Sequence, residues 1–77
     1  MAEAAGDTKA IEAILQEHIR LAPGSPHAHG NYGLFLMNQG RFDEAVAQYE
    51  KAIASTPYPL AIEQLEKAKS LRDEQRR

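Results

Sequence analysis

The chain has no cysteine and no tryptophan among its 77 residues. Without cysteine there is no disulfide, no thiolate metal site and no cysteine nucleophile, and the redox compartment is left open. No apolar run approaches the roughly 18 residues that mark a membrane-spanning helix. The opening MAEAAGDTK carries an acid early and no apolar stretch, so it does not read as a signal peptide. On these grounds the chain reads as soluble, with its compartment undetermined. No segment alternates with period two, so no strand is expected, and with it goes any phosphate loop of the strand–glycine–helix kind. Aromatics are few, at 6%. No basic run interleaved with aromatic residues is present, which argues against nucleic-acid binding.

Charge is mild overall, at −2, but uneven. Residues 1–50 hold seven acids and three bases, whereas residues 51–77 hold six bases and four acids. Acids interleave with Lys67, Lys69, Arg72, Arg76 and Arg77, as on a solvated helix with ion pairs. A single core of this size seldom exceeds about 3–5 kcal/mol without a staple. Stability must come from helix packing or from self-association.

Four helices follow from spacing and punctuation. Residues 1–7 read as a disordered N-terminus, with Asp7 or Thr8 capping the first helix. Its stripe is Ile11, Ile14, Leu15, His18, Ile19 and Ala22. Pro23-Gly24 stops it, and Ser25-Pro26 starts a second helix with a capping hydroxyl and a first-turn proline. Ala28, Tyr32, Phe35, Leu36 and Gln39 share one face there, and Leu34 and Met37 point elsewhere. Asn38-Gln39-Gly40 ends it. A third helix begins near Phe42-Asp43 and carries Phe42, Ala45, Val46, Tyr49, Ala52 and Ile53. Thr56-Pro57-Tyr58-Pro59 breaks the chain, and a fourth helix over 60–75 carries Ala61, Ile62, Leu65, Ala68 and Leu71. Short breaks between helices predict an antiparallel all-α array.

The stretch from Pro26 to Pro57, PHAHGNYGLFLMNQGRFDEAVAQYEKAIASTP, has a further regularity. Pro23 precedes Pro57 by 34 residues. His29, Tyr32-Gly33 and Leu36 on one helix are followed by Ala45, Tyr49, Ala52 and Pro57 on the next. This pattern resembles the tetratricopeptide repeat, as does the turn Gln39-Gly40-Arg41-Phe42-Asp43-Glu44-Ala45. The resemblance covers residues 26–57 as a full repeat and 8–22 as a degenerate second helix. The last helix, with Lys67 at the glycine register, resembles a capping helix. The chain departs from the pattern at His29, where tryptophan is usual, and at Leu36, where tyrosine is usual.

The resemblance implies a right-handed superhelical array in which Tyr32, Gly33, Leu36, Ala45, Tyr49, Ala52 and Pro57 form the packing motif. It also implies that the chain binds proteins and is not an enzyme. The groove-facing positions it assigns are His27, Gly30, Asn31, Leu34, Met37 and Asn38, which would receive a peptide or helix of an unidentified partner. Gly30 and Leu34 stand where the chaperone-binding subclass places clamp residues, so no grip on a terminal carboxylate is expected. An equal claim on Leu34 and Met37 is packing against a neighbouring helix or a second chain. Arrays of this kind usually need three or more repeats. The chain is therefore either the end of a longer array or a self-associating unit. In the second case Ile11, Ile14 and Ile19 would meet Ile62, Leu65 and Leu71 in a homodimer, helix exchange being a variant.

No cofactor or metal is expected. His27 and His29 lie two apart on one helix and face apart, and His18 reads as a packed or boundary residue. Ser25, Ser55 and Ser70 have local roles at helix ends, and Asp43-Glu44 are first-turn acids facing a helix dipole.

Overall fold

A computed structural model describes residues 3–76. Four helices follow in order: α1 (Glu3–Leu21), α2 (Pro26–Asn38), α3 (Phe42–Ser55) and α4 (Pro59–Gln75). Among the described residues there is no strand. α2 packs most extensively on α3, α3 on α4, and α1 on α2. The helices form a slab of 37 × 37 × 15 Å, an all-α array.

The first helix begins earlier than expected. Residues 3–7 are helical, not disordered, and neither Asp7 nor Thr8 is its cap. Ala4 and Ala5 have the highest helix propensity. Met1 and Ala2 lie outside the described residues.

Ser25 caps α2 as its position suggests: its Oγ accepts from the Ala28 amide at 3.3 Å, and Pro26 opens the first turn. At the far end Gly40 has φ +75°, the left-handed region that side chains avoid. The Gly40 amide donates to the Met37 carbonyl and the Arg41 amide to the Leu36 carbonyl, at 3.1 and 2.9 Å. This is a Schellman closure, and it turns the chain directly into α3. After α3, Thr56 and Tyr58 are extended. Each precedes a proline, which disfavours helical geometry in the residue before it.

The interior is built of small residues. Among the described residues, five of the nine buried apolar ones are alanine: Ala28, Ala45, Ala52, Ala61 and Ala68. Tyr32, Leu36, Val46 and Tyr49 fill the space that the alanines leave, with Phe35, Leu15, Ile19, Met37 and Leu65 packed around them. Of the expected packing motif, Tyr32, Gly33, Leu36, Ala45, Tyr49 and Ala52 are buried, while Pro57 is exposed in the linker. Gly33 shows why size matters here. A Cβ on it would stand 3.0 Å from two ring carbons of Tyr49 and 3.1 Å from a third.

Gln39, His18 and Ile62 depart from the expected faces. Gln39 is exposed because it is the C-cap of α2. His18 is exposed, since α1 turns Leu15 and Ile19 toward α2 instead. Ile62 is largely solvent-facing, because Ala61, Leu65 and Ala68 are the residues of α4 that meet the core. These three lie 33 positions after Ala28, Tyr32 and Phe35. At this offset, one short of the expected 34, Gly33 corresponds to Glu66 and not to Lys67, and Leu36 to Lys69, all three charged residues being exposed. α4 thus repeats the inward face of α2 and replaces its other face with charge. Its C-terminal end is tied to the start of α3 by Arg76 Nη2 to Asp43 at 2.8 Å and by Gln75 to the Gly40 carbonyl.

The Gly33 contact sets a quantitative expectation. Alanine is favoured over glycine in a helix by about 1 kcal/mol, but overpacking costs about 1–3 kcal/mol. The Tyr49 ring is almost wholly buried, so Gly33→Ala lowers unfolding free energy by about 1 kcal/mol in urea titration, against its helix propensity.

Candidate functional site

A cavity of about 270 Å³ opens where α2, α3 and α4 converge. α2 contributes His27, Gly30, Asn31 and Leu34, which recur every three to four residues and so share one face. α3 contributes Tyr49, the linker Tyr58, and α4 Leu60, Ala61 and Gln64. Leu34 and Leu60 stand at its edge, 51% and 60% exposed. None of the lining side chains is an aspartate, glutamate, lysine or arginine. The site can bury apolar groups and exchange neutral hydrogen bonds.

Two glycines set its shape. Tyr49 lies flat over Gly33, and the Tyr58 hydroxyl lies over Gly30, where a Cβ would stand 2.6 Å from its oxygen. The Tyr58 ring also meets that of His27, centroid to centroid at 6.2 Å. Tyr49 is only 2% exposed, and its hydroxyl has no hydrogen-bond partner among the described residues. Burial pushes the Tyr49 phenol up to about 12, and the neighbouring Tyr58 adds to the effect.

Of the six groove positions expected from the sequence, His27, Gly30, Asn31 and Leu34 come together here. Met37 and Asn38 do not line the cavity. Met37 is packed against the core, and Asn38, the last residue of α2, is exposed at the opposite end of the helix from Tyr58. The sequence reading missed Tyr58, Leu60, Ala61 and Gln64, and took Tyr49 only as packing. A tyrosine between two prolines was the available signal, since it holds an aromatic ring on an extended linker beside Gly30.

The histidines are not gathered. His29 is buried, with Nε2 donating to the Pro23 carbonyl at 2.8 Å and Nδ1 2.9 Å from the Gln48 amide group. It thus fills the position of a bulky residue while fastening α2 to the preceding linker and to α3. His27 faces the cavity and His18 faces solvent. Among the described residues, no group of three or more His, Cys, Asp and Glu is placed to hold a metal ion.

A polar network fastens α1. The Tyr32 hydroxyl donates to Glu12 at 2.6 Å and accepts from Gln16 at 3.1 Å. Arg41 donates to Glu12 at 3.1 Å and grips Glu44 through two bonds of 2.8 Å. The Arg41 and Tyr32 hydrogen bonds hold the Glu12 carboxyl below its ordinary range. Arg41 does the same to Glu44. Burial, then the bond to Glu12, raises the Tyr32 phenol.

A family model described as "Tetratricopeptide repeat" matches residues 2–61, and the chain belongs to that family. The match spans α1, α2, α3 and the first turn of α4. No curated protein and no solved structure matches the chain. No described helix is long and apolar enough to cross a membrane.

The network carries a pH expectation. Because the folded values of Glu12 and Glu44 are depressed, their contribution is present above the unfolded value of 4.5 and is lost as pH falls through the folded values. Thermal unfolding followed across this range shows falling stability on acidification, with a shallower dependence for Glu12→Gln.

Proposed function

We propose that this tetratricopeptide-repeat chain is a protein-interaction module, not an enzyme, and that a peptide or helix of a partner docks in the cavity between α2 and α4. The observation that carries this reading is the convergence of His27, Gly30, Asn31 and Leu34 on one concave, ion-free site. Leu34 and Leu60 supply apolar surface at its mouth, and Asn31 and Gln64 supply amide groups that set register. Such an arrangement binds by burial of an apolar face on a preorganised scaffold. It offers no lysine or arginine to a terminal carboxylate.

Peptides selected from a display library against the purified protein test the site. By fluorescence anisotropy Leu34→Glu weakens such a peptide by about tenfold or more, because docking would then press a charge against the partner's apolar face. Unchanged affinity with an unchanged circular dichroism spectrum contradicts the assignment.

A second reading, self-assembly as a homodimer, is favoured by a separate surface. Ile11, Ile14 and Leu21 on α1 are 46%, 68% and 69% exposed. Their spacing makes one stripe beside the Leu15–Ile19 stripe that packs on α2. Ile19 and Leu65, expected in such an interface, instead pack against the core, and Leu71 is half-buried. Light scattering over a dilution series decides: a dimer that Ile14→Glu converts to monomer supports assembly, and a monomer throughout the micromolar range contradicts it.

A further inference from the structure

We propose that the cavity is selective for an uncharged carboxamide, the side chain of a glutamine or asparagine in the partner, whose carbonyl oxygen accepts a hydrogen bond from the Tyr49 hydroxyl. This deepens the interaction reading and rests on it.

Three observations converge on an oxygen acceptor. The first is Tyr49 itself, a nearly fully buried phenol at the cavity whose Oη has no partner. Leaving such a donor unmet costs about 1–3 kcal/mol. A folded chain that could use phenylalanine here gains nothing from the hydroxyl unless something pairs with it. The second is the start of α4. Pro59 has no amide hydrogen, and the cap residue Tyr58 makes no side-chain capping bond. The first-turn amides of Leu60 and Ala61 have no carbonyl one turn back, and both residues line the same cavity. The partial positive charge of a helix start therefore faces the site, and no acidic residue of the first turn offsets it. The third is the absence of aspartate, glutamate, lysine and arginine from the lining.

Together these choose among ligands. A carboxylate would also suit the start of α4, but no lysine or arginine lines the cavity to offset the larger cost of desolvating its charge. An aliphatic side chain would fill the apolar walls of Leu34, Leu60 and Ala61 but leave the Tyr49 hydroxyl unmet. A carboxamide has an apolar stem for those walls and an oxygen for Tyr49. Its two N–H donors can be met by the side-chain oxygens of Asn31 and Gln64, one on each bank. Tyr49 Oη is closed to solvent, and Tyr58 is the lining residue carried by the extended linker. Rotation of the Tyr58 ring away from Gly30 admits the ligand.

The test uses three probes titrated into isotope-labelled protein and followed by NMR: N-acetylglutamine amide, N-acetylglutamate amide and N-acetylleucine amide. The glutamine probe is expected to shift the side-chain amide signals of Asn31 and Gln64 and to bind about fivefold tighter than the other two. Tyr49→Phe, which keeps the ring on Gly33, removes that preference. Tyr58→Ala, which opens the site, keeps the preference. Equal binding of glutamine and leucine probes, or a preference that survives Tyr49→Phe, overturns the inference while the docking site stands. No binding by any probe overturns it too, and failure of Leu34→Glu to weaken a selected peptide separately removes the interaction reading beneath it.

Discussion

The flat contact between the Tyr49 ring and the backbone of Gly33 is what the remaining structure depends on. Because α2 has no side chain at that point, α3 approaches it at the thickness of an aromatic ring. Ala45 and Ala52, fully buried on α3, keep the rest of the seam equally thin. Leu36, fully buried, then closes the core between them. The ring that joins the two helices is also a wall of the cavity. Packing and recognition thus share one residue, and the unpaired Tyr49 hydroxyl is where the two roles meet.

A second glycine one turn earlier extends the same device. Gly30 lets the Tyr58 hydroxyl settle on α2, and Tyr58 is placed there by prolines on both sides. The linker between α3 and α4 is therefore a wall of the cavity and not a mere connection. On the far side of α2 the logic is electrostatic. Glu12, Arg41 and Tyr32 hold α1 in place, and Arg41 reaches them because the Schellman closure at Gly40 aims the turn toward α1. α1 is thus fastened by a partly exposed polar network and by a narrower apolar contact, leaving its second apolar stripe uncovered.

Much of this was legible in the residues. Ser25-Pro26 marked the start of α2, Gly40 marked its end, and the Gly33, Ala45, Tyr49, Ala52 set pointed to the close helix pair. Local chemistry decides each of those features. What escaped was decided by tertiary placement or by balance. The helical residues 3–7 follow from alanine propensity outweighing the capping tendency of Asp7 and Thr8. Gln39 lies on the apolar face by angle alone, yet it caps the helix and faces solvent. Met37 was assigned to the groove by family position, but it packs into the core instead. Tyr58 carried no periodic signal, since it stands in a linker, and its contribution appears only when Gly30 lies opposite.

The central claim is the ring-on-backbone contact at Gly33, and proton NMR of the unmodified chain reads it most directly. The account predicts strong nuclear Overhauser effects between the Gly33 α-protons and the Tyr49 ring protons, with those α-protons moved upfield by the ring current. Gly33 α-protons at ordinary shifts and without cross-peaks to Tyr49 would contradict it.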